Sequence, residues 1–268
     1  MPKKVRGTSL VALTSDQLGE AAVPFVQVAA ALTPDQAQYC VSNKVGVRKR
    51  LMAMVNRFPV SIKTTGDGAV TEPTFDPAFD LDKIVSDRKE CWLKYYRDIL
   101  DLKIGDRNFA NLIIPPYQEG FNKLVIMVRG LYANGYYSGC QKQFACWRYT
   151  ENLDQVYSDR LAVSRHYALW MEDIIEPREE FGKKSANDLV AVDFKGIALP
   201  ERLADEGEHY FRTKTHRDVE NITRCDGSRN PGGYVPRVYW CPGCSKLYVS
   251  WCYPDDVSSG LRSRPVSC

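Results

Sequence analysis

Residues 234–267, YVPRVYWCPGCSKLYVSWCYPDDVSSGLRSRPVS, contain two segments that alternate strictly. Over 237–241 one parity holds Val238 and Trp240, and the other holds Arg237, Tyr239 and Cys241. Over 247–252 one parity holds Leu247, Val249 and Trp251, and the other holds Tyr248, Ser250 and Cys252. Period-two alternation predicts strands with one buried and one open face. The connection Pro242-Gly243-Cys244-Ser245 makes the two strands a hairpin. On this reading Trp240 and Trp251 lie inside. The open parity continues into Tyr253, Asp256, Ser258 and Ser259, where a solvated strand face would carry Lys, Glu, Thr and Gln. Tyrosine with small polar residues is the composition of adaptable recognition surfaces, because tyrosine offers large contact area at low rotamer cost. Each open-face residue can also be encoded by a codon ending in C, as a single mutational process would leave it.

Outward from this stretch, the composition is that of a globular protein, with 44% hydrophobic and 26% charged residues. A length of 268 residues allows one large domain or two small ones. A net charge of +3, with no basic stripe interleaved with aromatics, argues against nucleic acid as a partner. The basic start Lys3-Lys4-Arg6 precedes an apolar run, 10–13, too short for a signal-peptide core. No stretch reaches membrane-spanning length. The expectation is a cytoplasmic protein without membrane insertion, with surface display left open. Nine cysteines without a signal peptide do not argue for a disulfide framework. Cys40, Cys91, Cys140 and Cys146 sit among apolar residues and are expected as buried thiols.

Residues 14–58 read as helical, with Thr33 as N-cap and Pro34 at the first helical position. Val47, Leu51, Met54 and Val55 share a face, and Arg48-Lys49-Arg50 is then the solvated side. Residues 59–80 contain Gly66, Gly68, Pro73 and Pro77 and read as a linker. The expected division is therefore a helical N-terminal region with its linker, 1–80, and a second domain, 81–268. From Leu81 an amphipathic helix carries Ile84, Trp92, Tyr95, Tyr96, Ile99 and Leu102 and stops at Gly105. Residues 123–128 predict a buried strand, 132–144 a helix, and 147–149 and 167–170 short strands. Ser185 caps a short helix after a polar turn. A second clear helix spans 196–211, with Pro200 in its first turn and Leu199, Leu203, Tyr210 and Phe211 on one face. Glu201, Glu206 and Glu208 are then its charged side, and His209 a packed or solvated residue. Residues 221–229 predict a strand ending in a glycine turn. The fold class is α+β.

Three phrases in this order resemble a known family. GIALPERLADEGEHYF (196–211) resembles the RLPTEAEWEYA helix of the formylglycine-generating-enzyme branch of the C-type lectin fold. ITRCDGSR (222–229) resembles its RVLRGGSW strand and turn, and SGLRSRPVS (259–267) its closing GFRPA strand, with Arg262 in the arginine position. The last forty residues resemble more specifically the variable proteins of diversity-generating retroelements, of the type found in candidate-phylum bacteria. The matching positions are Cys225, Gly227, Ser228, Arg229, Val235, Pro236, Val238, Trp240, Leu247, Val249, Trp251, Pro254 and residues 261–264. The first 120 residues match nothing in the family.

The resemblance implies a C-type lectin-like domain within 81–268, two helices packed on short antiparallel strands. It also implies a receptor-like binding protein and no enzyme. In that family a reverse transcriptase miscopies template adenines, so solvent-facing side chains change while the scaffold persists. Here the diversified segment is about 230–264. The implied ligand-binding positions are Tyr234, Arg237, Tyr239, Cys241, Gly243, Cys244, Tyr248, Ser250, Cys252, Tyr253, Asp256, Ser258 and Ser259. The implied partner is a macromolecule, in the first place a protein, and no cofactor is implied. The enzyme branch's redox-active cysteine pair is not matched by any motif, nor are the carbohydrate and calcium motifs of animal lectins.

The alternative reading is a zinc-binding structural or interaction domain. Cys241-Pro242-Gly243-Cys244 is half a knuckle, and Cys252 and Cys225 would add two thiolates toward a tetrahedral site. Catalysis has less to stand on. The histidines are His166, His209 and His216, and no nucleophile turn or phosphate-binding glycine loop accompanies them. Full burial of Trp251 makes Trp251→Ala cost about 3–5 kcal/mol. An open-face Tyr248→Ala stays within about 0.5 kcal/mol.

Overall fold

The computed structural model describes residues 80–162 and 164–268, and the backbone of two short strands, β1 (Val60–Ser61) and β2 (Thr74–Phe75). These two pair antiparallel within the stretch expected as a linker, in keeping with the strand preference of Val, Thr and Phe. The helix expected over 14–58, its Thr33 cap and Cys40 lie outside the described residues.

The fold is mixed α+β. Helix α1 (Leu81–Asp98) begins where the Asp80 carboxylate accepts the Lys83 N–H at 2.9 Å. It buries Trp92, Leu93, Tyr95 and Tyr96. Its expected stop was Gly105, but Asp101, at φ 57°, turns the chain earlier. The Trp92 indole donates to the Leu124 carbonyl at 2.8 Å and the Tyr96 hydroxyl to that of Ile126. These bonds fix α1 to β3 (Lys123–Met127), the apolar run expected as a buried strand. β3 pairs antiparallel with β6 (Tyr167–Met171), and β6 with β12 (Val266–Ser267).

The larger sheet has the order β11-β7-β9-β10-β4. Its members are β4 (Cys146–Arg148), β7 (Ile222–Arg224), β9 (Val235–Cys241), β10 (Lys246–Cys252) and β11 (Leu261–Ser263). The strand expected over 221–229 is two, because the Ser228 N–H bonds back to the Cys225 carbonyl and breaks it. After that turn, β8 (Ser228–Arg229) pairs with β5 (Tyr157–Ser158). Helix α2 (Ala133–Gln141) lies within the span expected for it, and α3 (Ala186–Ala191) is capped by Ser185 as expected.

Helix α4 (Leu199–Thr213) is the central element, and it corrects the sequence reading. Glu201, Glu206 and Glu208 are not a solvated side; every residue from 199 to 209 is buried. Burying an ionised carboxylate is costly unless a cation meets it, and here each has one. Lys123, itself buried in β3, reaches Asp205 at 2.5 Å and Glu208 at 2.7 Å. Arg202 bonds Asp218 at 2.7 Å and Glu206 at 2.8 Å. Arg217 bonds Asp205 at 2.9 Å and Asp173 at 2.5 Å. Arg264 bonds Asp218 and donates to the Ile174 carbonyl at 3.0 Å and the Thr223 hydroxyl at 2.9 Å. At the N-terminus, Glu201 accepts the Ala198 N–H at 2.7 Å and binds Arg160 and the Tyr167 hydroxyl. His209 is packed, as expected, with Nε2 at 3.1 Å from the Thr215 hydroxyl.

α4 also packs against α1 at a glycine. A Cβ on Gly207 would stand 2.1 Å from the Tyr95 hydroxyl oxygen. Overpacking of about 1–3 kcal/mol outweighs the ~1 kcal/mol that alanine contributes to a helix interior. Gly207→Ala is therefore expected to lower the midpoint of chemical unfolding, and adding Tyr95→Phe, which removes the obstructing oxygen, to recover most of the loss.

Acid acts on this core with a definite sign. Burial alone raises the pKa of Asp205, Glu206 and Asp218, but the paired cations (Arg217 at Asp205, Arg202 at the other two) more than reverse it. A carboxyl held below its ordinary value stabilises the fold above its unfolded pKa, about 4, and that contribution is lost as pH falls toward the folded value. Burial lowers His209 to about 4, so its contribution fades earlier, below about pH 6.5. Asp226 has the opposite sign, raised by burial, and moderates the fall. Calorimetric melts are expected to show a shallow decline below about pH 6.5 and a steep one below about pH 4. A melting temperature that rises across that range contradicts an ionised core.

Candidate functional site: an aromatic cup on the hairpin

β9 and β10 form the expected antiparallel hairpin, with Cys241 opposite Lys246, Tyr239 opposite Tyr248 and Arg237 opposite Ser250. Val238, Leu247 and Val249 face the core and are essentially inaccessible. On the other face the Tyr239 and Tyr248 rings stack, with centroids 5.4 Å apart and planes 14° apart. The Arg237 guanidinium donates to the Ser250 hydroxyl at 2.9 Å, which holds it down on the sheet.

Two further walls turn this face into a cup. β4 adds to β10 in parallel, setting Trp147 beside Tyr248 with ring centroids 5.3 Å apart. The Tyr149 N–H extends that pairing to the Val249 carbonyl at 3.0 Å. Opposite, Tyr234 and Tyr253 meet edge to face at 5.0 Å. The Asn230 side-chain carbonyl accepts the Gly232 and Tyr234 N–H groups and shapes the turn before β9, where Gly233 adopts φ 82°. The Asp256 carboxylate accepts the Tyr253 N–H at 2.8 Å and fixes the segment after β10. The cup is open to solvent and has a volume of about 880 Å³.

Of the positions singled out in the sequence, Tyr234, Arg237, Tyr239, Tyr248, Ser250, Cys252, Tyr253 and Asp256 line this cup. The others do not. Cys241, Gly243 and Cys244 are at the hairpin tip, and Ser258 and Ser259 are exposed on the loop before β11. Cys252 corrects the parity rule: it is buried with Val235 beneath Ala186 and Leu261. The open face ends there because α3 covers it, tied down by the Asn187 N–H to the Pro254 carbonyl at 3.1 Å.

Sequence reasoning missed Trp147, Tyr149, Thr150, Asn230 and Trp251 as lining residues. The Trp147-Arg148-Tyr149 alternation marked a strand, but nothing local says that it pairs with β10. Trp240 and Trp251, expected inside, are both half-buried. Trp240 lies flat on His216, centroids 3.4 Å apart, at the sheet's margin. Trp251 floors the cup, its indole donating to the Thr150 hydroxyl at 3.0 Å.

Chemically the cup offers ring faces, one guanidinium and one carboxylate. Tyr248 remains a neutral phenol, its pKa pushed up to about 12 by the hydrogen bond to Cys244. None of the three histidines lines it. The four cysteines of the zinc reading are not one ligand set. Cys241 and Cys252 stand at opposite ends of the hairpin, and six residues of strand span about 20 Å. Cys225 is wholly buried, and burial pushes its thiol up, as it does that of Cys252, to about 11. Among the described residues no group of three or more His, Cys, Asp or Glu side chains is placed to hold a metal ion, and no helix is long and apolar enough to cross a membrane.

No protein-family model matches the chain, and no curated protein or solved structure does either.

Half-burial changes the expected energetics. Trp251→Ala is expected to cost about 1–3 kcal/mol instead of the 3–5 of a full core position. Tyr248→Ala, which loses two ring contacts, is expected to cost about 1 kcal/mol. Urea titrations of the two variants check the order; a costlier Tyr248→Ala contradicts it.

Proposed function

We propose that the chain is a receptor-like binding protein whose aromatic cup takes a macromolecular ligand, in the first place a protein. We further propose that it is a C-type lectin-like variable protein, of the formylglycine-generating-enzyme-like branch, diversified by a retroelement. The observation that carries the reading is the sorting of side chains on the hairpin. Val238, Leu247 and Val249 close one face of β9 and β10 against the core, while eight of the thirteen positions drawn from the sequence gather around one concave surface. Rigid ring faces with an adaptable polar rim are what a protein-binding surface uses. A stiff sheet also lets those rings change without disturbing the backbone bonds beneath them. The C-type lectin reading is supported by α2 and α4 packing on each other and α4 on β3 and β9, over short, mostly antiparallel strands.

The test is the gene and its surroundings. The reading expects a near-copy of the codons for residues 230–264 beside a reverse transcriptase gene, differing at adenines, with the differences falling at Tyr234, Arg237, Tyr239, Tyr248, Ser250, Tyr253 and Asp256. A gene with no such copy, and without codons ending in C at those positions, overturns it.

A further inference from the structure

The tip that joins β9 to β10 does not line the cup, and it carries two thiols. Cys241 ends β9, Pro242 and Gly243 take the corner, and the Cys244 N–H donates back to the Cys241 carbonyl at 3.2 Å. That bond closes a four-residue β-turn, which holds its first and fourth Cα atoms within about 7 Å. A disulfide spans Cα atoms about 4.4–6.8 Å apart, so the turn brings the cysteines to bonding range without unfolding the hairpin. The Cys241 and Cys244 thiols and the Tyr248 hydroxyl lie close enough to shift one another's acidity. Cys244 is exposed and Cys241 half-exposed.

The pair is also chemically asymmetric. The Tyr248 and Cys241 hydrogen bonds hold the Cys244 thiol below the usual range, while the bond to Cys244 raises that of Cys241. Elsewhere burial works against thiolate formation, raising Cys140 and Cys225 well up and Cys146 to about 12. Only a thiolate attacks a disulfide. Cys244, the more exposed of the two, is the favoured attacking group, with a second thiol one turn away to complete the exchange.

We propose that Cys241 and Cys244 form a reversible intramolecular disulfide by exchange with a small-molecule disulfide, and that this dithiol sets the position of Tyr248 in the cup wall. The Cys244 thiolate attacks one sulfur of R–S–S–R, forming a mixed disulfide and releasing one thiolate, RS⁻. Cys241, losing its proton, then attacks the Cys244 sulfur and releases the second RS⁻. Two protein thiols are oxidised by two electrons, and one small disulfide is reduced to two thiols. A disulfide sulfur is a poorer acceptor than a thiolate, so Tyr248 loses its anchor and its ring shifts against Tyr239 and Trp147. The redox step belongs to the tip alone and stands whether or not the cup binds a diversified ligand.

The experiment equilibrates the full chain in mixtures of reduced and oxidised glutathione, quenches with acid, alkylates free thiols and maps peptides by mass. The expected result is a peptide holding Cys241 and Cys244 that loses the mass of two hydrogens, reversibly with the glutathione ratio. Cys241→Ser is expected to trap a glutathione adduct on Cys244, and Cys244→Ser to suppress adduct formation at Cys241. Near-UV circular dichroism should change on oxidation in the parent chain and lose that change in Tyr248→Phe, which still forms the disulfide. If glutathione adducts accumulate at Cys241 and Cys244 without the internal disulfide, the dithiol proposal fails. If Tyr248→Phe keeps the full spectral change, the link to the cup fails.

Discussion

The carboxylates of α4 are tolerated in the interior because cations from three other parts of the chain meet them there. Lys123 comes from β3, Arg217 from the segment after α4 and Arg160 from the loop before β6, while Arg202 of α4 and Arg264, from between β11 and β12, both hold Asp218. Together they join different pieces of backbone to the same helix, so the network determines where the two sheets lie relative to it. Such a core is not stabilised as an apolar one is. Replacing a whole buried pair by hydrocarbon is often neutral, whereas removing one partner strands the other charge at about 3–5 kcal/mol. The arrangement therefore works chiefly by penalising every other arrangement: a packing that separates Arg202 from Asp218, or Lys123 from Asp205, leaves bare charge in a dry interior.

What could be read from the sequence was what is local. Strand alternation and the Pro-Gly corner marked the hairpin, Ser185 its capped helix, and the aromatic spacing of Trp92, Tyr95 and Tyr96 the buried side of α1. These signals depend on neighbours within a few residues. The misreadings share the opposite cause. Glu201, Glu206 and Glu208 have the spacing of a solvated helix side, but Arg160 and Lys123, far away in sequence, meet the first and last of them, and Arg202 with His216 meets Glu206. Cys252 follows the open parity of β10, and only α3 and β11 cover it. Trp147 and Tyr149 belong to the cup through a parallel pairing with a strand about a hundred residues later. The resemblance to a known family pointed to the hairpin, but the outer wall lies outside the segment it marked.

Stiffness and adaptability are divided between backbone and side chains in the cup. β10 is paired on both edges, by β9 and β4, so its carbonyl and amide groups are committed to strand partners. Tyr239 and Tyr248 project from that frame and stack on each other, which costs little side-chain entropy because tyrosine has few rotatable bonds. Arg237 and Ser250 add hydrogen-bonding capacity on the same surface. The half-burial of Trp251 lets one ring serve both the core's margin and the cup's floor.

The far-flung pairings also dictate an order of assembly during synthesis. Lys123 and Asp205 are made early, but Asp218 lacks Arg264, and β6 lacks its neighbour β12, until residues 264–267 have been added. A chain short of that point holds Asp218 with Arg202 but without its second cation, and a sheet with an open edge. Closing loops of this length is entropically expensive and slow. The core is therefore complete only once residues 264–267 are in place, and deleting that strand should loosen the sheet and the charge network together.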